Sequence, residues 1–192
     1  MTQTRCDDDV LTIPAVTQAR GTVKLPGSKS ISNRALLLAA LCTQRTRLTG
    51  LLQAEDTERM LDSLHLLGAS IEQNAQECTI APGNDFPLHE AELFVGNAGT
   101  VSRMLTAFLA FAGGAYRLDG VKRMRERPIA DLVDALRDIG ARIEYTGQVG
   151  CLPLRILPGR LVSDTARVRG NVSSQFLTAL LLASVGWARS LN

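Results

Sequence analysis

Hydrophobic and polar positions follow one recurring order along the chain. Thr22–Leu25, Leu93–Val95 and Ala166–Arg169 alternate with a period of two and predict short strands. Each runs into a small, polar, glycine-containing turn. A nearly all-apolar segment follows, at Asn33–Leu41, Val101–Phe111 and Ser174–Val185. Helices apolar on most faces are buried on most faces, so these three predict one shared core. A strand ending at Gly50 or Gly120 comes next, then an amphipathic helix. Met60, Leu61, Leu64 and Leu67 keep helical spacing, matched by Leu132, Val133, Leu136 and Ile139. Gly68 and Gly140 suit the left-handed position that ends a helix. Ser70–Gln73 with Cys78–Ala81, and Arg142–Tyr145 with Leu154–Leu157, predict the closing strands. The predicted unit is βαβαββ.

Local identities support a repeat. Gly68-Ala69-Ser70-Ile71-Glu72 returns as Gly140-Ala141-Arg142-Ile143-Glu144, and Leu105-Thr106-Ala107 returns as Leu177-Thr178-Ala179. Leu48-Thr49-Gly50 and Leu118-Asp119-Gly120 correspond, as do Arg34 and Arg103, each opening an apolar run. These matches divide the chain into units of residues 21–88, 89–158 and 159–192. The third holds only a first strand and a buried helix, so the expectation is an incomplete unit in a piece of a larger protein. Residues 1–20 belong to no unit. Val10–Ile13 reads as a lone strand, expected to belong to a second domain outside this sequence.

Composition narrows the class without choosing a function. The 192 residues are 45% hydrophobic and 21% charged with a net charge of +2, which excludes intrinsic disorder. The apolar runs are too short for a membrane span, and the polar, acidic start is no secretory signal, so a cytoplasmic protein is expected. The four cysteines are scattered and the two histidines, His65 and His89, make a poor ligand set. Buried reduced thiols and no metal site are expected. Aromatics at 4% and the lack of a basic tract argue against nucleic acid. Only Lys24, Lys29 and Lys122 among the 21 basic residues are not arginine, which favours bidentate binding of phosphate or carboxylate.

The candidate chemistry lies in the turns before the first helices: Leu25-Pro-Gly-Ser-Lys-Ser-Ile-Ser-Asn-Arg34, Gly96-Asn-Ala-Gly-Thr-Val-Ser-Arg103 and Gly170-Asn-Val-Ser-Ser-Gln175. Small residues expose backbone N–H groups, hydroxyls add donors, and a helix N-terminus adds positive potential. Equivalent turns of a repeat are expected at one end of the domain. Lys29, Arg34 and Arg103 bring formal charge there. A further cluster, Lys122–Arg127, precedes the second helix of unit two, with Pro128 expected as its first residue. Each turn alone reads equally well as a helix cap. Gly27-Ser-Lys-Ser30 lacks the spacing of a nucleotide-binding P-loop. Glu126 is the only acidic residue expected near the turns, paired with neighbouring arginines.

These motifs, together with Arg123-x-x-Glu-Arg-Pro-Ile129 and Val172-Ser-Ser-Gln-Phe-Leu-Thr-Ala-Leu180, resemble the signatures of bacterial 5-enolpyruvylshikimate-3-phosphate synthases. The likeness runs from Gly21 to Leu182. It implies an α/β fold of repeated βαβαββ units with helices inside and sheets outside, an inside-out α/β barrel, with residues 21–192 forming the first of two domains. It implies transfer of an enolpyruvyl group from phosphoenolpyruvate to the 5-hydroxyl of shikimate 3-phosphate, through a tetrahedral intermediate, without a cofactor, in a monomeric full-length enzyme. By motif matching, Lys29 and Gln175 serve catalysis. Lys29, Ser30, Arg34, Ser173, Ser174 and Gln175 contact shikimate 3-phosphate. Lys29, Asn97, Gly99, Arg127 and Gln175 contact phosphoenolpyruvate, and Thr100 and Arg103 support them.

Two departures qualify the match. The proline common after Arg103 in the family is Met104 here, which leaves glyphosate sensitivity open. The acid and base of the family lie in the second domain, so this chain alone is expected to be inactive. The alternatives are the sister transferase acting on UDP-N-acetylglucosamine, whose first turn carries a different Lys-Asn pattern, and a non-catalytic anion-binding remnant.

Overall fold

Two sheets and five helices share one apolar core in the computed structural model, which describes residues 6–7, 10–11, 15, 17–18, 20–74, 77–163, 165–169 and 173–185. A two-stranded ribbon comes first, with β1 (Cys6–Asp7) antiparallel to β2 (Val10–Leu11). The Val10–Ile13 strand is therefore not solitary where it is described, and Ile13 lies outside the described residues.

Helix α1 spans Lys29–Leu41, four residues longer at its start than its apolar run predicts. Ser28 explains the early start: its Oγ accepts the Ile31 N–H at 3.4 Å, capping the helix ahead of the apolar stretch. Then come β3 (Thr46–Thr49), α2 (Glu55–Leu66), β4 (Ser70–Asn74) and β5 (Glu77–Ala81), forming a three-stranded sheet in the order β3-β5-β4. The next stretch holds β6 (Glu90–Phe94), α3 (Gly99–Ala112), β7 (Ala115–Asp119), a 3-10 turn (Met124–Glu126), α4 (Ala130–Asp138), β8 (Arg142–Tyr145) and β9 (Leu154–Leu157). Its strands form a mixed sheet in the order β6-β7-β9-β8, with β6 and β7 parallel. Helix α5 is Ser174–Ser184.

Two predicted strands are absent. Thr22–Leu25 and Ala166–Arg169 run without ladder bonds. Alternation marks a segment fit to lie on a sheet, but a strand needs a neighbour to take its N–H and C=O groups. β6 finds β7 in register over five residues. The equivalent edge of β3 has no ladder partner among the described residues, and Val23 and Leu25 remain 79% and 81% exposed.

Helix α3 is buried over most of its circumference, including Met104, Leu105 and Leu109. The residue where the family favours proline is thus a core-filling side chain in an uninterrupted helix. Helix α1 leaves none of the predicted run Asn33–Leu41 exposed, whereas α5 falls short of the predicted burial, with Leu177 and Leu181 exposed. Gly68 and Gly140 take positive φ of 98° and 108° as their positions require. Helix α4 starts at Ala130 rather than Pro128, because buried Ile129 gives its N–H to Gly150 O at 2.9 Å and holds the chain outside the helix. His65 falls in the last turn of α2 rather than its middle. Cys78 and Cys151 are buried, whereas Cys42, just past the end of α1, is exposed. Among the described residues no helix is long and apolar enough to cross a membrane.

Candidate active site

The N-terminal ends of α3 and α5 meet through one buried guanidinium. Arg103, in the second turn of α3 and 8% exposed, donates from Nη1 to Gln175 Oε1 at 2.6 Å. Its Nη2 lies 3.3 Å from the carbonyl of Pro128, and its guanidinium sits 5.2 Å from the Phe176 ring centroid. Burial first, and the neighbouring Arg127 second, lower the Arg103 pKa from its ordinary value. No carboxylate pairs with Arg34, Arg103 or Arg127 among the described residues. Arginines held close together without a counter-ion make a region of positive potential suited to an anion.

Arg127 lies over the second turn. Its Nη1 donates to Asn97 O at 3.0 Å, and a Cβ built on Gly99 would overlap its guanidinium. A larger residue at this position would displace the end of the Arg127 side chain above it. The 3-10 turn that precedes Arg127 is pinned by a bidentate pair, Arg125 Nε and Nη2 to Asp119 at 2.9 and 2.7 Å. Asp119 Oδ1 also accepts the Gly120 N–H at 2.7 Å. Glu126 pairs with Arg123 at 2.9 Å, as its surroundings in the sequence predict.

Lys29 is the first residue of α1 and pairs with Asp56 at 3.2 Å. Ser30 follows it, half-buried in the same first turn. Arg34 lies one turn further along α1, with its Nε buried and without a partner among the described residues. The adjacent Asn33 is fully buried and its amide has no partner among the described residues. Backbone packing fixes this turn: the Ser32 Oγ accepts the Leu52 N–H at 3.1 Å, and Gly27 lies against Gly50–Leu52.

The first turn of α2 links turns one and two. Asp56 holds Lys29, while Glu55 and Arg59 crowd the Gly96 backbone. The expectation that Glu126 is the only nearby acid is therefore corrected. Acidic residues opening a helix are read as complements to its dipole, and nothing in their spacing shows that a lysine 27 residues away will fold against them.

At the third turn, Ser173 caps α5 by accepting the Gln175 N–H at 3.2 Å. Ser174 is exposed, and Thr100 is half-buried in the first turn of α3. Gly170, Asn171 and Val172 lie outside the described residues. The structure thus joins turns two and three directly through Arg103 and Gln175, and reaches turn one by way of α2. A groove of about 970 Å³ lies elsewhere, over one face of the four-stranded sheet. Its walls carry alternating charges such as the Arg117–Glu92 pair at 4.0 Å, as on a solvated sheet face.

In this α/β fold the N-termini of α3 and α5 meet where Arg103 and Arg127 lie without a carboxylate partner among the described residues, an arrangement suited to a small anion. The sequence matches the family model for EPSP synthase (3-phosphoshikimate 1-carboxyvinyltransferase) over residues 13–189, and the chain belongs to that family. It is 59% identical over 181 residues to the 3-phosphoshikimate 1-carboxyvinyltransferase of Bordetella parapertussis, covering 93% of this chain and 41% of the relative. The corresponding protein of Laribacter hongkongensis is 58% identical over 168 residues, 85% of this chain and 39% of the relative. A solved EPSP synthase from Acinetobacter baumannii superposes with a TM-score of 0.76 at 30% identity, covering 85% of this chain and 38% of that one. The chain therefore spans about two fifths of the length of these relatives.

Proposed function

We propose that this chain supplies one half of the site that transfers an enolpyruvyl group from phosphoenolpyruvate to the 5-hydroxyl of shikimate 3-phosphate, in the route to chorismate and aromatic amino acids. In this reading residues 21–192 form one domain of βαβαββ units, helices inward and sheets outward, with the third unit incomplete. Residues 1–20 belong to a second domain. The complete enzyme works as a cytoplasmic monomer without a cofactor.

One observation carries the reading: Arg103 and Arg127, close together and without a carboxylate partner among the described residues, beside Gln175 at the meeting of two helix N-termini. Both proposed substrates are multiply charged anions. Their meeting, and the tetrahedral adduct between them, require fixed cationic donors set in place before reaction. Arg127 and the backbone of Asn97 and Gly99 face the phosphoenolpyruvate, with Thr100 and Arg103 behind them. Arg34, Ser30, Ser173 and Ser174 hold shikimate 3-phosphate, while Lys29 and Gln175 lie between the two. Lys29 exchanges its contact with Asp56 for the substrate. Proton transfer to the methylene carbon and from the 5-hydroxyl needs an acid and a base within hydrogen-bond reach, and we assign neither to this chain.

The test has two arms. Shikimate 3-phosphate titrated calorimetrically into the chain binds, and Ser173→Ala/Ser174→Ala weakens it, since hydrogen bonds to a charged group contribute roughly 1.5–3 kcal/mol each. Phosphate release from both substrates is undetectable with the 192-residue chain and appears once a fragment carrying the remainder of a relative's sequence is added. Absence of binding, or turnover by the chain alone, refutes the proposal.

A further inference from the structure

We propose that Arg103 is a positioning residue that dictates which end of the Gln175 amide is presented to the bound anion. The inference rests on Gln175 being a substrate contact, as proposed above.

A glutamine amide carries an acceptor and a donor at nearly equivalent positions, and only its partners decide which way it points. Arg103 settles the choice by chemistry. A guanidinium has donors and no acceptor, so the amide atom 2.6 Å from Nη1 must be the oxygen. The Nε2 end is thereby turned away from Arg103. With Oε1 held, Gln175 offers an anion two N–H groups. Released, it could equally offer a carbonyl oxygen, which repels one.

Stability alone does not account for an arginine here. The side chain is buried, packs on Phe176, has no carboxylate partner, and leaves Nε without a hydrogen bond among the described residues. Burying an unpaired charge is unfavourable, and an apolar side chain of similar length would fill the same space at lower cost. The remaining contact, to Pro128 O, fastens the backbone next to Arg127. One guanidinium therefore registers Gln175 on α5 against the Arg127 loop.

The experiment is a double-mutant cycle on shikimate 3-phosphate binding with Arg103→Met, Gln175→Met and the double variant. The expected result is a loss of about tenfold or more from each single change, the loss typical of one charge-assisted hydrogen bond. The double variant binds no more weakly than Gln175→Met, because Arg103 acts through Gln175. Equal losses from Arg103→Met in both backgrounds, or no loss in either, overturn the proposal. Arg103→Lys covers the case in which the methionine variant does not fold; lysine keeps the charge but cannot reach Gln175 and Pro128 together, and it lowers affinity as well.

A ligand-free measurement separates this proposal from the substrate assignment. The Nε2 resonances of Gln175, assigned by their disappearance in Gln175→Met, stand apart from those of exposed glutamines and move toward them in Arg103→Lys. If the wild-type chain binds no shikimate 3-phosphate, the substrate assignment fails, and these resonances still decide the Arg103–Gln175 coupling. Resonances unmoved by Arg103→Lys refute it.

Discussion

Replacing Gly27 by alanine tests how the first turn is held in place. A Cβ on Gly27 would lie 2.8 Å from Leu52 N, and closer still to Gly50 O. Ordinary contact begins near 3.4 Å, so the two segments must part by at least about 0.6 Å (3.4 less 2.8). Both obstructing atoms belong to the backbone, so no side chain can swing aside. Overpacking of this kind costs about 1–3 kcal/mol. Parting the segments also stretches the Ser32 Oγ contact to the Leu52 N–H, now 3.1 Å, whose loss costs about 1 kcal/mol more. A total of roughly 2–4 kcal/mol lowers the melting temperature by about 5–15 °C in a chain of this size. Thermal unfolding followed by circular dichroism, with calorimetry to check for a single transition, reads the shift. Gly50→Ala is the internal control: nothing lies within 4 Å of its Cβ, but its φ is +70°. Its cost is the intrinsic one of that conformation, about 1–2 kcal/mol. A Gly27→Ala protein melting within about 2 °C of wild type, or above Gly50→Ala, refutes the packing argument.

Gly99→Ala gives the opposite signature. The group in the way is the flexible end of Arg127, so the melting temperature holds while the Arg127 contact to Asn97 O is displaced and phosphoenolpyruvate affinity falls about tenfold; unchanged affinity in a calorimetric titration counts against Arg127 as a ligand. Met104→Ala, in the core of α3, costs about 2–5 kcal/mol in urea unfolding, and a loss below 1 kcal/mol contradicts its burial. Burial raises the pKa of Cys78, Tyr116 and Tyr145. The folded chain thus keeps protons that the unfolded chain releases, and stability falls as pH rises past about 8.5 for the thiol and 10 for the phenols. A urea midpoint that stays constant from pH 7.5 to 10.5 rules this out.

Much of the architecture is written in local pattern. The strands Arg142–Tyr145 and Leu154–Leu157 form over the residues that alternation marks, and the all-apolar run Val101–Phe111 becomes the most enclosed helix. Side-chain periodicity and glycine placement are properties of a few adjacent residues, so they survive in the sequence alone. The polar turns before α1, α3 and α5 are legible for the same reason; Gly99 stands out only through the resemblance of its motif, since the Arg127 guanidinium over it comes from a distant segment.

The tertiary structure decided what depends on a partner distant in the chain. Thr22–Leu25 alternates as well as Leu93–Val95, yet only the latter pairs, because a ladder needs a second strand in register. Ser28 and Ser173 each accept a backbone N–H as a helix cap, which residue type does not reveal until the backbone is placed, and each keeps its own O–H to donate. Asp56 meets Lys29 only when α2 folds across the start of α1. Arg103 and Gln175, 72 positions apart, meet only where two helices bring their N-termini together. Sequence determined which groups this protein can offer an anion. Folding determined which of them keep free donors and which way those donors point, because hydrogen-bond partnership is set by distances in space and not along the chain.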